Sequence, residues 1–86
     1  MAISLDETKK QMVRSAYDFF TRWGYSISEK ELQVAVKAHG HTVKAPGWRY
    51  DLDYLIDCGL LHKKGNDVWA TEEAIRSISE LDHIDA

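Results

Sequence analysis

Two short apolar stretches, Leu60-Leu61-His62-Lys63 and Val68-Trp69-Ala70-Thr71, flank Lys64-Gly65-Asn66-Asp67. Apolar runs of this length around a Gly-Asn-Asp turn predict a β-hairpin. The segments on either side follow helical periodicity instead. The hairpin therefore sets the class, a mainly α chain with a small β element.

The first helix is predicted over residues 6–23, with Asp6 and Glu7 at its positive end and Gly24 as its stop. Met12, Val13, Ala16, Tyr17, Phe19, Phe20 and Trp23 recur at helical spacing. At about 100° per residue they sweep roughly 160°, wider than the core-facing stripe of about 100°. Either this helix is sunk deep in its own core, or Val13 and Tyr17, or Phe19 on the other edge, pack against a second copy in a homodimer. A chain of 86 residues buries a modest share of its surface, so self-association would add core.

The second helix opens on a capping box, Ser28 with Glu31, flanked by a hydrophobic staple of Ile27 and Leu32. Leu32, Ala35, Val36 and His39 continue one face, and Gly40 ends it. After a short connection, residues 41–43, a third helix is predicted over 45–58, with Pro46 in its first turn. Trp48, Leu52, Leu55 and Ile56 share its inner face, and Gly59 stops it. After the hairpin, Thr71 caps a last helix with Glu72 and Glu73 in its first turn. Ala74, Ile75, Ile78 and Leu81 turn inward, and residues 82–86 form a frayed tail beyond a single domain over 1–81. The order α-α-α-β-β-α is that of a winged helix-turn-helix.

Chemistry is sparse. Cys58 is the one cysteine, which excludes an intramolecular disulfide and fits a reducing, cytoplasmic setting. No apolar run approaches the roughly 18 residues a membrane span requires, and the first residues lack a signal-peptide pattern, so no membrane partner is expected. His39 and His41 form an H-x-H, with His62 and His83 elsewhere, too few convergent ligands for a metal site. No nucleophile–base pattern or phosphate-cradling glycine loop is present. Neither catalysis nor a cofactor is expected.

In a helix-turn-helix, the second of the paired helices presents its solvent face to base edges. Taking Leu52 as the centre of the buried side, the outward positions are Gly47, Tyr50, Tyr54 and Asp57, with Arg49 and Asp53 on the flanks. Across residues 44–58 Lys44 and Arg49 stand against Asp51, Asp53 and Asp57, +2 − 3 = −1, and the whole chain carries −3. DNA contact must then come from a local set: Lys44, Arg49 and Tyr50 at the helix start, Lys63 and Lys64 on the hairpin. Such residues grip phosphate and discriminate little between sequences. The alternative is a protein partner meeting Tyr50, Tyr54 and Asp57, since tyrosine is enriched at interfaces and carboxylates are repelled by DNA.

Gly24-Tyr25, the capped Glu31-Leu32-Gln33 helix, Gly40-His41, Arg49, Leu52 with Leu55, Gly59-Leu60 and Ala70-Thr71 together resemble small winged-helix, ArsR-like proteins of Mu-like phages and prophages. The resemblance covers residues 24–71. It implies a winged-helix fold, a phage or prophage origin, double-stranded DNA as partner and a role in transcription regulation. The chain departs from that pattern where Lys44 and Ala45 replace a serine cap and a basic residue, and where Pro46 and Gly47 follow. The metal-sensing cysteine pair of arsenic-type repressors is absent, so metal-responsive regulation does not carry over.

Overall fold

Local capping sets the helix boundaries. In the computed structural model, which describes residues 5–84, the Asp6 carboxylate accepts the Lys9 backbone N–H at 2.8 Å. This opens α1 (Glu7–Trp23), which ends where Gly24 turns left-handed. Ser28 closes a two-residue strand, β1 (Ile27–Ser28), and its hydroxyl accepts the Glu31 N–H at 3.2 Å to start α2 (Glu29–Ala38). Ile27 and Leu32, the expected staple, are both buried. The third helix, α3 (Gly47–Asp57), begins two residues later than predicted, with Pro46 as its cap residue. A residue before proline is disfavoured in the helical region, which keeps Ala45 out of the helix.

The end of α3 accounts for a second difference. The backbone N–H groups of Leu60 and Leu61 both reach the Leu55 carbonyl, at 2.9 and 3.2 Å, while Gly59 donates to Ile56 at 3.0 Å. This is a Schellman-type closure around left-handed Gly59. It claims the two leucines for the helix end, so the hairpin strands are shorter than the sequence suggested: β2 (His62–Lys64) and β3 (Asp67–Trp69). Lys64 pairs with Asp67 across the Gly65–Asn66 loop. Gly65 has φ 63°, and among the described residues no non-glycine has positive φ, a pattern matching a type II′ turn.

The sheet has three antiparallel strands in the order β1-β3-β2. Ile27 faces Val68 and Ser28 faces Asp67. The chain thus runs helix, strand, helix, helix, strand, strand, helix, one strand more than expected. Two residues are too short to show alternation.

Met12, Val13, Ala16, Leu32, Val36, Trp48, Leu52, Leu55, Leu60, Leu61, Val68, Ala70, Ala74 and Ile78 join Ile27 in one core. Val13 is fully buried within it, which removes it from the proposed dimer contact; Tyr17 and Phe19 are half-buried against the same core. The far end of α1 outruns the core, leaving Phe20 and Trp23 exposed. The Thr71 hydroxyl accepts the Ala74 N–H at 3.3 Å, opening α4 (Glu72–Ile84). The tail expected over 82–86 is helical through Ile84; residues 85 and 86, like 1–4, lie outside the described residues, as do the Leu81 and His83 side chains. No helix among the described residues is long and apolar enough to cross a membrane.

Candidate functional site

Helix α2 begins immediately after β1, so Glu29 stands where the α2 start, the α3 start and the hairpin meet. Its own N–H donates to the Asn66 carbonyl in the hairpin loop at 2.8 Å. Its Oε1 accepts from Trp48 Nε1 at 3.3 Å and from Arg49 Nη2 at 3.1 Å. Its Oε2 lies 3.5 Å from Lys63 Nζ on β2. The carboxylate is largely shielded, at 15% exposure, while Arg49 remains half exposed at 50%. Two cations from different elements therefore each lie within 3.5 Å of one carboxylate.

Trp48 is the anchor of this arrangement. Its ring is buried and its N–H points at Glu29. Lys64 follows Lys63 and is exposed, as is Lys44 ahead of α3; neither joins the Glu29 pairing. Lys30 is exposed beside Glu29 and shares a groove with Ser28, Gln33 and Asn66.

The outward face of α3 is turned relative to expectation. Trp48, Leu52 and Leu55 are all buried, so the centre of the inner side lies between them and not at Leu52 alone. At about 100° per residue this shifts the outer face by roughly 35°. Gly47, Arg49, Tyr50, Asp53 and Asp57 are exposed, with Tyr50 at 69%. Tyr54 is half-buried, with the Lys9 ammonium 5.4 Å from its ring centroid, so less of it than of Tyr50 is open to a partner. Asp51 is engaged from the same side, 3.4 Å from Lys9 Nζ. Of the three aspartates on α3, Asp53 and Asp57 remain to oppose an anionic ligand.

The described histidine side chains make separate contacts. His39, expected on a half-buried face, is exposed, and its Nδ1–H donates to the Ala35 carbonyl at 2.9 Å. His41 lies 3.4 Å from the Thr8 hydroxyl, and His62 stacks on Trp69. No cluster of three metal-ligating side chains occurs among the described residues. Cys58 is a free, half-buried thiol.

Two features escaped the sequence reading. Glu29 carries no local signal, because its partners come from α3 and β2. The surface aromatics at the end of α1 form a cluster with Tyr25: Phe19 lies 6.3 Å from Trp23 and meets Tyr25 edge-on at 5.5 Å. Trp23 and Tyr25 are 58% and 60% exposed, so helical spacing placed Trp23 in a core that does not reach it. Set against protein-family models, curated proteins and solved structures, the chain matches none.

Proposed function

We propose that this chain is a winged helix-turn-helix protein that binds double-stranded DNA, gripping its backbone more than reading its bases. The observation that supports the reading is the meeting of Arg49 and Lys63 at Glu29, which brings one cation of the α3 start and one of the hairpin to the same carboxylate. In a winged helix these two elements lie along the major groove and the neighbouring backbone. Lys64, on the other face of β2 from Lys63 and across from Asp67, and Tyr50 are exposed and open to further backbone contacts. Cation-to-phosphate contacts of this kind give affinity that falls steeply with salt. The outward face of α3 offers Tyr50, Asp53 and Asp57 where a base reader carries Arg, Asn or Gln, so sequence discrimination is weak. The resemblance to phage and prophage proteins suits a regulatory role for such binding.

An NMR titration with a mixed-sequence duplex tests this. Amide shifts are expected around Arg49, Tyr50, Lys63 and Lys64, shrinking as salt rises. Lys64→Ala is expected to weaken binding uniformly across sequences and lower the salt slope by about one. No shifts at low salt would overturn the proposal.

The exposure of Tyr50 between carboxylates favours a second reading, a protein-interaction module docking on the outer face of α3 through Tyr50, Asp53 and Asp57. A duplex that leaves the spectrum untouched is the result this reading requires.

A further inference from the structure

Arg49 Nη2, Lys63 Nζ and the Trp48 indole N–H converge on one anion, and that anion is the protein's own Glu29. The donors come from a helix start and a strand, and one of them sits on a buried ring, so their positions are set by the fold and not by the carboxylate alone. Two cations and a neutral N–H around two oxygens is also the arrangement that receives a phosphodiester: guanidinium and ammonium groups bind phosphate by the same charge-assisted hydrogen bonds they give a carboxylate. We infer that these three residues form a backbone-phosphate site, and that Glu29 occupies it as an internal competitor that sets DNA affinity.

The inference rests on the DNA-binding reading and adds a residue that limits it. With Glu29 in place the Arg49–Lys63–Glu29 group carries a net charge of +1. A DNA phosphate must displace the carboxylate, or share the two cations with it, before contact is made. Arg49 is the cation best placed for such sharing, because half of its side chain already faces solvent while Glu29 is shielded.

Glu29→Gln is the direct test. The glutamine carbonyl still accepts from Trp48, while the negative charge is gone. Glu31→Gln is the control: it makes the same change in net charge on the same turn of α2, where Glu31 is exposed. Binding of a mixed-sequence duplex is followed by fluorescence anisotropy across a salt series, with melting curves and tryptophan emission reporting the fold. The expected result is that Glu29→Gln binds about tenfold more tightly than wild type at low salt, with a salt slope steeper by about one. Glu31→Gln is expected to move affinity much less, and Lys63→Ala added to Glu29→Gln to remove most of the gain. If wild type binds and folded Glu29→Gln binds no more tightly, or if Glu31→Gln tightens binding equally, the competitor role is overturned while DNA binding stands. If neither wild type nor Glu29→Gln binds at low salt, the DNA reading falls and the inference falls with it.

Discussion

Asp6 and Lys9 open α1 and also tie it to α3. The Asp6 carboxylate accepts the Lys9 backbone N–H and lies 3.3 Å from the Lys9 ammonium, which in turn reaches Asp51 at 3.4 Å. Partial burial works against both charges, raising the Asp6 carboxyl and lowering the Lys9 ammonium. The Lys9 N–H groups outweigh it for Asp6, which is held below the ordinary carboxylate range; Asp6 and Asp51 outweigh it for Lys9, which is held above the ordinary ammonium range. A depressed carboxyl stabilises the fold above its unfolded-state value, and that contribution is lost as pH falls through the folded-state value. A raised ammonium contributes below its unfolded-state value and loses that contribution as pH rises through the folded one. Asp6→Ala is expected to cost about 1 kcal/mol at neutral pH as a lost helix cap. In paired thermal melts its deficit against wild type should narrow below about pH 4, as the Asp6 carboxyl of the wild type is protonated. A constant deficit down to pH 2 would show that charge plays no part in the cap.

Among the elements, the hairpin is fastened at its loop. Asn66 receives the Glu29 N–H, and Ser28 pairs with Asp67, so the loop is joined to the start of α2. Gly65 holds φ 63°, a region that L-residues with a Cβ enter at a cost of roughly 1–2 kcal/mol. Gly65→Ala is therefore expected to lose about 1 kcal/mol in urea unfolding, although a Cβ there would meet nothing within 4 Å. A neutral outcome would assign the turn another geometry. The helix starts at Asp6, Ser28 and Thr71 were legible in the sequence because each cap hydrogen bond closes within three residues. The hairpin turn was legible for the same reason. Strand β1 was not, since only its pairing with β3, some forty positions later, makes it a strand. Glu29 was invisible on similar grounds, as was the half-burial of Tyr54, because the Lys9 that covers its ring comes from α1. Of the candidate site, residue types and rough location were readable; the convergence of Arg49 and Lys63 was a tertiary fact.

For the molecule as a whole, one core carries all four helices and the sheet. Leu52 and Leu55 of α3 are fully buried in it beside Met12 of α1 and Val68 of β3. Leu52→Ala is expected to cost about 2–5 kcal/mol through lost burial and a cavity. Total stability of about 5–15 kcal/mol is usual for globular domains, and a chain this small belongs at the low end, so this substitution should leave a large fraction unfolded at 37 °C by circular dichroism. A shift in urea midpoint equivalent to less than about 1 kcal/mol would mean the site repacks. The strand order has a separate consequence. Because β3 takes both neighbours, the hydrogen-bonding groups left over belong to β1, two residues long, and β2, three residues long with Lys63 and Lys64 on it. An extended segment from another chain finds too short a template there, and one lined with ammonium groups, to add itself as a fourth strand. This sheet is built to stop growing.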